Sequence, residues 1–343
     1  MNWTLVCVIA LAGAMSVAGG AAAAPSADAP PRAPDGRADL TGVWSNASLT
    51  WLERPATFNG RTLTEAEAKA RAAADPLKRA AQRDALPSDP SAGPPPAGEG
   101  ALGSAHSAIF LDAGDAFARI KGEYRTSWIV EPSDGLLPLT DFGRRRSQAA
   151  AVMRNRMDPD GPEHLAPNDR CLLGSRGSGG PGMLNNIYNS NYRFLLTPDA
   201  LVVIVEMGFG VRVIPILKTK AQAQAAHSPA ALQPWMGDST AWWEGDALVV
   251  ETVNVNAVQG GFGPIFLSEK GRVTERLTRA SGKEIAYEFI VEDPTYYTRT
   301  WKAEMVLAAL PGEIYEYACH EGNYAMSGIL GGARAAEAQA AGK

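Results

Sequence analysis

The chain has 343 residues, enough for one large domain or two small ones, and 45% hydrophobic with 20% charged residues is the balance of a globular protein. The formal net charge is −5, from 32 basic and 37 acidic side chains. No basic surplus is left to neutralise a phosphate backbone, which sets nucleic acid aside as a partner.

The N-terminus predicts the compartment. An apolar run over residues 5–17 is followed by small residues and Ala22-Ala23-Ala24-Pro25, the pattern of a signal peptide over 1–24 cleaved near Ala24. The run is short for a membrane span. The expected product is periplasmic or secreted, with no integral membrane segment after cleavage. Cys7 would be lost, leaving Cys171 and Cys319. An even pair in an exported chain predicts a disulfide. Such a bond would close a loop of about 150 residues and add up to about 4–5 kcal/mol in the chain-entropy model. The alternative is a thiolate nucleophile at Cys319, beside His320.

Residues 25–38 read as a disordered leader of Ala, Pro, Asp and Arg. One domain is expected over 39–335, with a helical and loop insertion at 60–110 and a disordered tail at 336–343. Within the insertion, Thr64 and Glu67 form a capping-box pattern for a helix over 64–84, interrupted at Asp75-Pro76. Residues 86–104 are rich in Pro, Gly, Ser and Ala, a loop composition. A strand at 124–130 ends in Pro132-Ser133-Asp134-Gly135, and Thr140 caps a helix over 141–156. Residues 158–186 form a long Gly/Pro loop carrying His164, Arg170 and Cys171, of a length usually tied to function.

The second half predicts strands at 188–197, 201–207, 211–217, 240–243, 247–254, 273–279, 284–292, 298–310 and 313–319. Pro198-Asp199, Glu244-Gly245-Asp246, Ser281-Gly282 and Pro311-Gly312 supply tight turns between them. The predicted fold is mainly β, an antiparallel meander rolled into a lipocalin-like, calycin-type barrel. Gly42-x-Trp44 near the start of the expected mature chain resembles the first strand of lipocalin-type barrels, where the Trp closes one barrel end.

Alternation assigns faces. Ile285, Tyr287, Phe289 and Val291 share one face, as do Trp301, Ala303, Met305 and Leu307. Glu206, Glu251 and Glu275 each fall on a largely apolar face. A carboxylate inside an apolar barrel would have its pKa raised, which suits acid–base chemistry near neutral pH.

The densest chemistry lies at 315–324. His320 is the candidate proton shuttle, with Glu321 or Glu206 as its carboxylate partner. Arg170 would hold an anionic group, and Tyr188 or Tyr324 would donate to a developing oxyanion. Asn191 among amides and phenols, and Trp243 near Asp238, suit a planar aromatic or sugar ring. The four histidines, His106, His164, His227 and His320, show no ligand spacing, so no metal is expected. Residues 174–182 lack the Lys of a phosphate loop, and no cofactor is expected.

Two motifs, Asp238-x-x-x-Trp242-Trp243-Glu244-Gly245-Asp246-x-Leu248-Val249-Val250-Glu251-Thr252 and Tyr315-Glu316-Tyr317-x-Cys319-His320-Glu321-Gly322-Asn323-Tyr324, resemble a family of exported bacterial proteins of unestablished activity. The resemblance implies an exported β-rich protein and supplies no catalytic residue. Residue chemistry therefore carries the functional expectation. It is a cofactor-independent lyase or hydrolase acting on a small aromatic or carbohydrate-derived molecule in a barrel cavity. The alternative is a non-catalytic periplasmic protein that binds a small molecule.

Overall fold

The structure is a computed structural model. It describes residues 29–84, 91, 112, 114–154, 159–174, 177–208 and 210–342. The expected signal segment 1–24, His106 and nearly all of the 86–104 loop lie outside the described residues.

In chain order the elements are β1 (Gly42–Ser45), β2 (Thr62–Leu63), α1 (Glu65–Ala73), α2 (Pro76–Asp84), β3 (Arg119–Ile120), β4 (Glu123–Arg125), β5 (Ile129–Glu131), α3 (Asp141–Arg154), β6 (Asn191–Leu196), β7 (Ala200–Val205), β8 (Val211–Leu217), α4 (Lys220–Ala225), β9 (Asp238–Glu244), β10 (Ala247–Val253), α5 (Ala257–Gly260), β11 (Arg272–Arg279), β12 (Glu284–Glu292), β13 (Trp301–Ala309), α6 (Cys319–Gly322) and α7 (Ala325–Ala340). Strands β1 and β6 to β13 form one sheet that closes on itself through the β1–β13 pairing, and β5 adds to β13. Closure removes the free edges that a sheet would otherwise present. Strands β2, β3 and β4 make a separate small sheet.

The barrel is mixed rather than an all-antiparallel meander. Strands β8 and β9 run parallel, pairing where Ile216 faces Ala241 and Leu217 faces Trp242. The intervening residues 218–237 carry α4 and return the chain to the same end, as a parallel crossover requires. The second correction is at 313–319, which forms no strand. Its expected partner β13 already pairs with β12 on one side and with β1 and β5 on the other. No edge remains to receive another strand, so the segment runs outside, where Glu313 forms an ion pair with Arg193.

The inner face holds the side chains that alternation assigned to it. Tyr287, Phe289, Trp301, Ala303, Met305 and Leu307 are fully buried, together with Trp44, Tyr192 and Phe194. Trp44 closes one end. Its Nε1 donates to the Leu40 carbonyl at 3.1 Å, and the Arg279 guanidinium lies 4.3 Å from its ring centre. Arg279 is fixed in turn by donating to the carbonyls of Asp39, Ser281 and Gly282.

The interior is a packed core, not an open cup. The loop around residues 180–186 enters it. Met183 N–H donates to Tyr287 Oη at 2.8 Å, and Met183 O accepts from Asn46 Nδ2 at 3.1 Å. Gly182 has φ +72°, and a Cβ there would stand 2.5 Å from Ile265 Cδ1, so only glycine lets the loop reach this depth.

Within the stretches expected to be disordered, the described residues 29–38 and 336–342 include paired and helical residues. Arg32 bridges to Ala38 and forms a bidentate pair with Asp246 of the β9–β10 turn. Ala38 is buried. Helix α7 continues through the tail to Ala340, because alanine is the strongest helix former and Arg334 pairs with Glu337 one turn on. The sequence-predicted capping box is present: Glu67 N–H donates to Thr64 Oγ1, and Glu67 Oε2 accepts from Thr64 N–H.

Candidate functional site

Two polar clusters and two concavities are the candidates. The first cluster lies inside the barrel wall. Arg212 Nη1 and Nη2 donate to Glu275 at 3.2 and 2.5 Å, and Nη2 also reaches Ser239 Oγ and Thr252 Oγ1, each at 3.2 Å. Tyr287 Oη donates to Glu275 Oε1 at 2.6 Å, and Gly182 N–H adds a contact at 3.3 Å. Burial pushes the Glu275 carboxyl up, but the guanidinium, the phenol and the amide outweigh it, and the carboxyl sits below its ordinary range. Burial and the neighbouring carboxylate push the Tyr287 phenol well up. The cluster is thus a fixed ion pair, suited to holding strands together rather than to exchanging protons with a guest.

The second cluster is on the outer face under α4. His227 Nδ1 lies 3.0 Å from Asp238 Oδ2, and its Nε2 lies 3.4 Å from Glu251 Oε1. Gln224 Nε2 donates to Glu251 at 3.1 Å, and Ser228 N–H donates to Asp238 at 2.6 Å. These contacts bind α4 and the 226–237 loop to the barrel. Among the described residues no three His, Cys, Asp or Glu side chains come together in a way that could hold a metal ion.

The first concavity, about 230 Å³, sits at the barrel mouth opposite Trp44. It lies where β7 and β10 end and β8, β9 and β11 begin. Its walls come from residues of the Gly-rich stretches 167–174, 177–181, 207–208 and 259–263, and from Gly210, Trp235, Met236, Val255, Ile265 and Leu267. The described lining residues include no carboxylate, imidazole, amine or guanidinium; the polar side chains are Asn168 and Gln259. Gln259 Nε2 donates to the Gly180 carbonyl at 2.9 Å, whereas its Oε1 is buried without a partner. Below the wall, a Cβ on Gly180 (φ +81°) would stand 2.6 Å from Arg212 Nη1, so the cavity floor rests on the buried ion pair.

The second concavity, about 510 Å³, lies between Asn168, Asp169 and the C-terminal segment of Tyr317, Cys319, Asn323 and Ile329. Asn168 belongs to both concavities. Cys171 and Cys319 are disulfide-bonded, with Cα atoms 5.7 Å apart, so Cys319 is a bridging sulfur rather than a thiolate. The bond ties the mouth wall to α6, and Asn323 Nδ2 reinforces the junction by donating to the Asp169 carbonyl at 3.0 Å.

The sequence-predicted site residues are dispersed. His320 and Glu321 lie on α6 and are exposed, and Tyr324 is 83% exposed. Glu206 follows β7 on the outer side of the wall, buried under Asn189 Nδ2 and Asn191 Nδ2 at 2.9 and 2.8 Å. Tyr188 is half-buried, its phenol pushed up by burial and by Tyr317. Arg170 is half-buried beside the disulfide. Asp238 is engaged by His227, and Trp243 lies 5.7 Å beneath the Arg37 guanidinium. Of the proposed catalytic and binding residues, Asn191 and Glu206 are joined by a hydrogen bond. None of the described residues lining the mouth cavity is among them.

Glu275 does fall on an apolar face as the alternation predicts, but its partner Arg212 holds its carboxyl below rather than above the ordinary range; neither Arg212 nor Gln259 is a candidate from sequence. The signal for the cavity was the recurrence of glycines at 174–182, 208–210 and 260–263, which marks loops whose backbones approach closely. Comparison with family models, with curated proteins and with solved structures finds no match for this chain.

Proposed function

We propose that this protein binds a small, largely apolar molecule in the barrel mouth, and that it does so as an exported protein. The observation that carries the binding reading is the mouth cavity itself. It is walled by Leu, Met, Ile, Phe and Trp side chains and glycine backbone, the composition of a small-molecule pocket. A cavity of about 150 Å³ accepts benzene, so about 230 Å³ has room for one substituted ring. The disulfide fits an oxidising compartment, and among the described residues no helix is long and apolar enough to cross a membrane.

An acid–base enzyme on this scaffold would draw on His320, Glu321 or Glu206, none of which is among the described residues lining the mouth cavity. Binding needs none of them. The test is a thermal-shift screen of small ring compounds on the purified protein. A compound binding the folded state should raise Tm progressively with concentration. The double substitution His320→Ala, Glu321→Ala should leave that rise unchanged, and Leu173→Trp, which fills the wall, should abolish it. A screen without any shift rejects the binding reading. A shift lost in the double variant would return the acid–base reading to first place.

A further inference from the structure

We infer that the outer face of β6, β7 and β8 is the surface through which two copies of this protein pair. Phe194, Leu201, Val203, Val205 and Ile214 belong to the barrel core, so the residues that alternate with them point outward. In an antiparallel sheet with one solvated face, that side is ordinarily polar. Here it is apolar. Leu195 stands opposite Val202, and Val202 opposite Val213; Ile204 stands opposite Val211, and Ala200 opposite Pro215. Directly opposed residues share a face with Cβ atoms about 5 Å apart, so these side chains form one contiguous block. It extends roughly 10 Å across the strands and roughly 15 Å along them. Leu195 is 40% exposed, Val211 46% and Val213 63%. Strand β8 inverts the usual pattern, with its arginine buried and its valines in solvent.

The adjoining wall shows how this barrel treats such a face. On β9 and β10, Trp242 and Val249 are opposed in the same way, and Ala223 of α4 packs on them so that all three are buried. The β6–β8 block is of the same character and keeps its valines exposed. Its border indicates the cover. Arg193, opposite Ile204 and paired with Glu313, bounds one end. At the other end Asp199 precedes β7 and Lys218 follows β8; both are exposed, and the Asp199 carbonyl accepts from Ile216 N–H. These four side chains carry two charges of each sign. A two-fold contact sets one patch against itself, so a border of mixed sign lets each copy offer the opposite charge to the other. An anionic lipid surface would call for a basic border instead. An apolar block of this extent with a polar border matches the dry centre and wet rim of a standard interface, about 800 Å² per partner.

The test is sedimentation velocity of the purified protein over a concentration series, with the variants Val213→Glu and Val213→Lys. Val213 is mostly exposed, so both variants should fold with the Tm of the wild-type monomer. The wild type should form a dimer at micromolar concentration. Each variant alone should associate about a hundredfold more weakly, because like charges then meet across the contact, and an equimolar mixture of the two should recover the dimer. Leu195→Glu, on the neighbouring strand, replaces any variant that fails to fold and should also dissociate the dimer. A wild type that stays monomeric far above micromolar concentration overturns the inference. A dimer indifferent to these substitutions places the contact elsewhere and overturns it too, and a mixture that stays monomeric overturns the pairing of this block with itself. A monomer that sediments with phosphatidylcholine vesicles, and no longer does so as Val213→Glu, also overturns it and assigns the face to a lipid surface.

Discussion

Two regions of this molecule are rich in groups that carry charge or protons, and they differ in how the sequence presents them. Residues 315–324 gather phenols, a disulfide sulfur, an imidazole, carboxyls and an amide in ten consecutive positions, yet Tyr315, His320, Glu321 and Tyr324 face solvent. Arg212, Ser239, Thr252, Glu275 and Tyr287 come from five different strands and form one network from which water is excluded. Proximity along a chain is a fact of covalent order. Shelter from water, which gives a polar group its leverage, is conferred only by the fold.

The comparison breaks most sharply at Glu275. Replacing it by Ala leaves the Arg212 guanidinium buried without a counter-charge, which should cost about 3–5 kcal/mol in urea denaturation. The pH dependence follows from the sign of the shift. A carboxyl whose pKa is lower in the folded than in the unfolded state stabilises above its unfolded value, near pH 4, and loses that contribution as pH falls through the folded value. The wild type should therefore lose stability steeply below about pH 4, and Glu275→Gln should flatten that limb. An unchanged acid limb in Glu275→Gln would show that other carboxyls dominate it.

A smaller effect is expected from the link between the two regions. Cys171→Ser with Cys319→Ser removes the tie between the mouth wall and α6, and should lower stability by about 2–4 kcal/mol. The same variant should weaken binding in the cavity, because the 167–174 wall loses its covalent anchor. Destabilisation without any change in ligand affinity would show that the wall holds its shape without the bond. The smallest effect belongs to the periphery: Thr64→Ala removes the acceptor that caps α1 and should cost about 1 kcal/mol. A loss several times larger, measured in the same denaturation, would mean that α1 is part of the cooperative core.

Much of the barrel was legible in the sequence. Period-two alternation in β11, β12 and β13 gives the inward face correctly, and the Thr64–Glu67 spacing gives the helix cap. Gly42-x-Trp44 marks the first strand, with Trp44 packed at one barrel end. The parallel β8–β9 joint was less legible, because tight turns announce hairpins whereas a crossover is signalled only by the length of 218–237. Segment 313–319 has strand composition, but strand formation needs a free edge, and edge occupancy is a property of the closed sheet. The mouth cavity was the hardest to read. It is built largely from glycine backbone contributed by three distant loops, and Gln259 in its wall lies in an unremarkable Val-Gln-Gly-Gly stretch.

The joint between β8 and β9 has a mechanical consequence. Around most of the circumference, neighbouring strands are stitched by ladders of four or more residues, but this joint and the closing β1–β13 joint are each two residues long. Arg212 reaches from β8 past this gap to β9, β10 and β11, and so acts as a rivet across one of the two thin joints of the hoop. Withdrawing that one cation does more than delete a contact. It leaves that joint of the ring to two rungs of backbone pairing.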